Sequence, residues 1–460
     1  MTKKEIISIK DGDNIVETIY DPEINTTRYL VGSSGNISQE DSYVWKGEEY
    51  KPLSVISQEL RAGVLKLASG YEEYVSREEL VKEIQAFIHD YVDVSESFEI
   101  VSAYYVLMTW VSDKFQDVPY LRVRGNPGCG KSTFLKVIAE VCYKATVMNT
   151  DPSESTLYRT MDKIRGTLFV DEADFYRSSK TSGMVKILNN GVSQGGTVSR
   201  SRATKEGSYE TEYFQVFGPK VLANRSVFQD DALESRCITE YMVGENIRPE
   251  VLVNRGKEFY ARASILRNKL LKYRMDNLHT IQPVDSKNIN SKLNNRSRQI
   301  GVALVTLMKK EHVSHLDKIL MQTEEKLNTI RDNSLEVDIT KVLLIGISKG
   351  RSYFTVGEIA GMLDRFNALH EKVTPRKVGS VLSDLEISRQ RGGANGATRV
   401  SLADNQRQIN YLRKYYQITE EELHSDTDDW TDITEPTERT EHYKKGVNIT
   451  KEDNPFEREG

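Results

Sequence analysis

Eight consecutive residues, Gly125-Asn-Pro-Gly-Cys-Gly-Lys-Ser132, carry the strongest chemical signal in the chain. They fit the P-loop pattern GxxxxGK[ST], with the β-prone run Tyr120–Val123 before them and the amphipathic run Thr133–Tyr143 after them. Glycines let backbone N–H groups turn toward a phosphate, and a helix N-terminus adds positive partial charge. Lys131 is placed to reach the β- and γ-phosphates of a nucleoside triphosphate, and the Ser132 hydroxyl to bind Mg²⁺. Gly125, Asn126, Pro127, Gly128, Cys129, Gly130 and Thr133 complete the expected cradle. A chance glycine-rich turn would lack the matching flanks.

A second element follows. Thr167-Leu-Phe-Val170 reads as a buried strand that delivers Asp171-Glu172 at its carboxyl end, where open parallel sheets place their ligands. Asp171 is expected to hold Mg²⁺, directly or through water, and Glu172 to polarise an attacking water. Alone, the pair could equally be a solvated strand end; after a complete P-loop it reads as hydrolytic. A third strand, Lys220-Val-Leu-Ala223, ends at Asn224, a polar side chain suited to the γ-phosphate or the water. Twelve residues further on, Asp231-Ala-Leu-Glu-Ser-Arg236 ends in an arginine.

In this combination the chain resembles the AAA+ ATPases over about residues 75–330. The resemblance implies ATP as the nucleotide, Asn224 as sensor 1 and Arg236 as an arginine finger acting on the neighbouring subunit of a ring, expected to be hexameric. Arg225 is the rival finger, and an ion pair with Glu234 or Asp231 is the plainer role for Arg236. Asn294-Asn-Arg296-Ser-Arg298 opens the amphipathic run Ile300–Met308. AAA+ lids present a sensor 2 arginine from such a helix start, so Arg296 or Arg298 is expected near the nucleotide.

Between the acidic strand and Asn224, Gly196–Arg202 and Tyr209–Phe217 alternate around the turn-prone Lys205-Glu-Gly207, a hairpin signature. It resembles the pre-sensor-1 hairpin of superfamily 3 and minichromosome-maintenance helicases, which implies DNA contacts from Arg200, Arg202 and Lys205 in a pore. The flanks Trp110–Phe115, Pro119–Gly125 and Phe217-Gly-Pro-Lys220 resemble helicase-like ATPases of plasmids, phages and mobile elements. Residues 335–402 resemble a winged helix, with Thr374-Pro375 opening a third helix and Arg391–Ala397 looping as a wing. Its expected DNA contacts are Arg376, Lys377, Arg389, Arg391 and Arg399; winged helices also bind proteins.

The elements that must position these groups divide the 460 residues into a β-rich segment (1–52), a helical segment (53–118), an α/β core with a parallel sheet (119–244), a helical lid (245–330), the winged helix (335–402) and an acidic, disordered tail (418–460). The fold class is thus α/β. The formal charge of -5 hides an asymmetry: residues 418–460 hold 14 Asp/Glu against 5 Lys/Arg, which leaves the remaining body mildly basic and open to a polyanion. Hydrophobic residues make up 38% and charged residues 28%, and no apolar stretch approaches the ~18 residues of a spanning helix. With no apolar leader at Met1, a cytoplasmic protein with no membrane association is expected. Three scattered cysteines exclude a disulfide scaffold or zinc finger. The activity expected is ATP hydrolysis coupled to DNA translocation or unwinding in replication. An ATP-switched initiator or loader without unwinding and a protein-remodelling or defence-type ATPase are the alternatives.

Overall fold

Five runs of three to five residues, Tyr120–Arg124, Thr146–Met148, Leu168–Val170, Lys220–Asn224 and Cys237–Tyr241, form one wholly parallel sheet. From one edge the order is fifth, first, fourth, third, second. Parallel neighbours need crossover connections, and the helices Lys131–Ala139, Glu154–Ile164 and Ser179–Asn190 lie in them. Leu121, Val123, Phe169, Val221 and Leu222 are fully buried, as expected of strands covered on both faces. This mixed α/β arrangement is seen in a computed structural model that describes residues 4–33, 35–148, 152–173, 179–203, 208–228, 230–244, 247–252, 254–332, 334–366, 373–391, 397–416 and 418–425.

The chain divides into two compact units, Met1–Leu327 and Asn328–Gly460. In the first, residues 53–76 depart from the helical expectation. They hold only the short helix Gln58–Arg61, and the long helix starts at Arg77, capped by the Ser76 hydroxyl, which accepts from Glu79 N at 3.1 Å. The backbone at Val64–Lys66 instead lies against the outermost strand: Lys66 N donates to Ala145 O at 2.9 Å and Val147 N to Val64 O at 3.1 Å. An otherwise unpaired sheet edge is thereby covered. The helix Glu96–Thr109 is buried almost all round, which its lack of a polar face demands.

The amino-terminal segment is a four-stranded antiparallel meander, Ser8–Asp11, Asn14–Asp21, Thr26–Ser33 and Asn36–Glu40, beside a small three-stranded sheet. A buried charge cluster ties it to the core. Glu17, 2% exposed, accepts from the Tyr143 hydroxyl at 2.6 Å and from Arg274 Nε at 2.9 Å, and pairs with Lys144 at 2.9 Å. Arg274 lies on the helix Lys257–Asn277 and also holds Asp113 through two bonds of 2.9 and 3.1 Å. Burial alone would raise the Glu17 carboxyl, but Lys144 and Arg274 outweigh it and hold it below the usual range. Asp113 is likewise held below the usual carboxylate range by Arg274 and Lys10, again against burial.

Depressed carboxyls contribute stability that is fully present above their unfolded pKa of about 4 and is lost as pH falls through the folded value. Melting temperature should therefore fall steeply below about pH 4.5. Glu17→Gln, which strands the buried Lys144 ammonium and leaves Arg274 to Asp113 alone, should cost about 3–5 kcal/mol at neutral pH and flatten that acid slope. An acid slope identical in Glu17→Gln and the wild type would show that this cluster does not govern it.

The second unit runs helix Leu335–Ser348, strand Tyr353–Thr355, helix Val356–Phe366, helix Pro375–Asp384, strands Gln390–Arg391 and Thr398–Ser401, and helix Gln406–Tyr415. Thr398–Ser401 is the central strand of its antiparallel sheet. Thr374 caps the third helix by accepting from Lys377 N at 3.3 Å, with Pro375 in the first turn. Val378, Leu382 and Leu385 are buried while Arg376 and Lys377 are exposed. The acidic tail does not begin at residue 418 as a disordered segment. Ile418 and Leu423 are buried in this unit's core and Glu420–Ser425 is helical, because two apolar side chains anchor a stretch whose charge alone reads as solvated. Residues 426–460 lie outside the described residues. Among the described residues no helix is long and apolar enough to cross a membrane.

Candidate functional site

Strand register brings the candidate residues to one level. Asn224 pairs with Arg124, the last strand residue before the P-loop, and Val170 pairs with Leu222. Asp171 and Glu172 therefore leave their strand beside Ala223 and Asn224, and Ala173 N donates to Ala223 O at 2.8 Å. Three strand ends converge where ligands of parallel sheets sit. Lys131 Nζ donates to the loop carbonyls of Gly125 at 2.7 Å and Asn126 at 2.8 Å. Ser132 is exposed in the first helical turn, with Thr133 half-buried beside it. Cys129 is buried, and Asn126, Pro127 and Gly128 are exposed.

Two glycines are required by close approach. A Cβ on Gly125 would stand 2.2 Å from Met242 O, and one on Gly244, at φ +78°, would stand 2.6 Å from Cys129 Cα. The segment after the fifth strand thus lies directly on the P-loop. Beyond it opens a cavity of about 760 Å³ lined by Gly128, Cys129, Gly130 and Thr133, by Tyr91–Ser95, and by Glu240–Gly244, Ile247–Pro249, Val251 and Leu252. Arg248 braces its wall, donating to Asp93 Oδ1 at 2.8 Å and Val92 O at 2.8 Å. Sequence reasoning missed this cavity, since its walls lie some 150 residues apart in the chain.

Glu172 is exposed and takes φ +54°, a left-handed backbone unusual for a non-glycine residue. Its N–H donates to Asp171 Oδ1 at 3.0 Å, a local bond that stabilises the turn. Asn224 is 2% exposed; its Nδ2 donates to Ser226 O at 2.7 Å, while its Oδ1 has no partner. A buried acceptor left over beside the acidic pair fits a donor supplied by ligand or water. Among the described residues no cluster of three or more His, Cys, Asp or Glu could hold a metal. Mg²⁺ at a phosphate site needs only one or two protein oxygens plus phosphate and water, and Ser132 and Asp171 carry side-chain oxygens of that kind.

Arg236 lies elsewhere. It precedes the strand Cys237–Tyr241, its carbonyl accepts from Tyr120 N at 2.9 Å, and its guanidinium donates to Ala232 O. Burial, together with the like charge of Arg296, lowers its pKa. Arg298 donates to Asn295 Oδ1. Glu234 does not pair with Arg236. Its carboxylate takes both terminal nitrogens of Arg122, a fully buried residue of the P-loop strand, and accepts from Phe228 N at 2.9 Å. Arg225 is exposed next to Asn224.

The hairpin Thr197–Ala203 and Tyr209–Gln215 projects before the Asn224 strand. Its arginines are engaged: Arg200 pairs with Glu154 at 2.9 Å and Arg202 with Glu212 at 3.0 Å. Lys205 lies outside the described residues. Lys220, fully buried, donates to Gly191 O, Val216 O and Gly218 O at 3.1, 3.2 and 2.8 Å, binding both stems of the insertion to the Asn224 strand. Burial lowers its pKa, yet three acceptors require three donors, which only the ammonium form has. A lysine opening an apolar strand was the available signal. In the second unit Arg389 donates to Gly379 O at 2.6 Å and to the Ser383 hydroxyl, and Arg399 lies over the Tyr353 ring at 4.5 Å. A groove of about 590 Å³ runs between Arg376, Ser380, Ser383, Arg389 and Thr398. Arg391 is exposed at the end of its strand.

No protein-family model matches the chain, and no curated protein matches it. Among solved structures, an apo form of the NrS-1 C-terminal region aligns with TM-score 0.36 and 10% identity over 84% of this chain and 96% of that one. A full-length MCM homolog from Methanopyrus kandleri aligns with TM-score 0.34 and 10% identity over 66% and 75%. The JCV helicase aligns with TM-score 0.25 and 14% identity over 54% and 65%. These are distant likenesses.

Proposed function

We propose that the chain is an AAA+-type ATPase that assembles as a hexameric ring and couples ATP hydrolysis to DNA translocation or unwinding, in replication of a mobile element. One observation carries the reading. Cys237 pairs with Tyr120 and Tyr241 with Arg124, so Arg236 and the P-loop lie at opposite ends of paired five-residue strands. That separation is about 16 Å, more than an arginine side chain spans. Arg236 therefore serves the γ-phosphate of an adjoining copy, where its charge offsets that of the transferring phosphate.

Within one copy the P-loop amides and Lys131 hold the phosphates, and the apolar cavity walls beside Gly128–Gly130 receive the base. Mg²⁺, held through Ser132 and Asp171, would neutralise charge on the phosphates. The Glu172 carboxylate takes the proton of the attacking water, and Asn224 Oδ1 accepts the water's second hydrogen bond. DNA binding falls to the hairpin and to the second unit read as a winged helix, whose Arg376 and Arg389 line the groove and whose Lys377, Arg391 and Arg399 would add further backbone contacts.

A forked duplex tests the reading. Strand separation with ATP, absent with a non-hydrolysable analogue and absent in Lys131→Ala, is the expected result. ATP-dependent binding without separation would assign the chain to the initiators or loaders. No salt-sensitive DNA binding at all would favour protein remodelling.

A further inference from the structure

The hairpin has two faces of opposite character. On the inner face Val198, Arg200, Arg202, Glu210, Glu212 and Phe214 lie in register. This face packs on the helix Glu154–Ile164, with the Tyr158 and Phe214 rings 4.5 Å apart and Arg159 over the Phe214 ring at 4.9 Å. The outer face carries Ser199, Ser201, Ala203, Tyr209, Thr211 and Tyr213, all exposed. Tyr209 is 78% and Tyr213 69% exposed. Ala203 stands opposite Tyr209 and Ser199 opposite Tyr213, so small neighbours leave both rings uncovered. Four residues apart on one strand, the rings are separated by about 14 Å and cannot stack on each other.

We infer that the outer face is a stacking platform on which Tyr209 and Tyr213 each take a base of single-stranded nucleic acid, while Arg200 on the inner face, paired with Glu154, helps to hold the hairpin to the body. This rests on the reading of the chain as a nucleic-acid motor and changes which residues grip the strand. Both carboxylates of the described hairpin, Glu210 and Glu212, belong to the inner face, so the outer face offers a phosphodiester chain no repulsion. It bears no aliphatic side chain larger than alanine, which disfavours a dry protein contact. Hydroxyls of Ser199, Ser201 and Thr211 suit a wet polar partner. Aromatic stacking is worth about fivefold to 150-fold in affinity per base and tolerates any sequence, as a motor that travels along a strand requires.

The test compares binding of the full chain, with a non-hydrolysable ATP analogue, to fluorescent oligothymidylate and to an abasic strand of equal length and charge. The wild type should prefer the strand with bases. Tyr209→Ala/Tyr213→Ala should bind oligothymidylate about 25-fold weaker or worse and lose the preference, with its melting temperature unchanged. Tyr209→Phe/Tyr213→Phe should keep it. A wild type that binds both strands equally would overturn the platform while leaving a nucleic-acid motor standing. So would a double alanine variant that retains the preference, or one that changes oligomeric state with strand binding intact, which would make the face a subunit contact. A wild type that binds neither strand would remove the motor reading as well.

Discussion

Glu172→Gln should bind ATP as the wild type does and hydrolyse it about 10²- to 10⁴-fold more slowly. The amide preserves shape and hydrogen bonding but cannot take a proton from water. Glu172 is exposed, and among the described residues its side chain makes no ion pair, so the substitution should leave melting temperature unchanged. Nor should it disturb the phosphate grip proposed for Lys131 and the loop amides. Binding of a fluorescent nucleotide and steady-state phosphate release measure the two halves separately. Lys131→Ala is the contrast, since it should lose binding itself. Wild-type turnover in Glu172→Gln would place water activation on another residue.

Arg236→Ala should lower turnover by about 10³- to 10⁵-fold, the range found when an arginine finger is withdrawn, while each subunit still binds nucleotide. Its guanidinium donates to Ala232 O, so truncation removes one hydrogen bond to a backbone carbonyl and breaks no ion pair with Glu234, which Arg122 holds. The helix Asp231–Glu234 should therefore stay in place, and gel filtration should show an oligomer unchanged from the wild type. Full turnover from an intact oligomer would withdraw the finger from Arg236 and pass it to Arg225.

What could be read from sequence was local. The P-loop strand and helix are contiguous with Gly125–Ser132, and the hairpin announces itself by alternation on both sides of one turn. What could not be read joins distant segments. Arg122 and Glu234 are 112 residues apart, and only the pairing of the first and fifth strands brings them together. Arg200 looks free in sequence because Glu154, which neutralises it, lies on another helix. The two tyrosines of the outer hairpin face sit in plain view as alternate members of Tyr209–Tyr213, but which face packs inward depends on Tyr158 of the helix beneath. Composition also misplaces the start of the acidic tail, since the burial of Ile418 and Leu423 is set by the core they meet and not by the charges around them.

Mixing Glu172→Gln subunits with Arg236→Ala subunits probes the shared seam most directly. Each alone should be nearly inactive, one lacking the base and the other lacking the finger. Where an Arg236→Ala subunit receives Arg236 from a Glu172→Gln neighbour, one complete site forms, and phosphate release should recover to a substantial fraction of the wild-type rate. A mixture that co-assembles yet stays as inactive as its parts would contradict hydrolysis between copies.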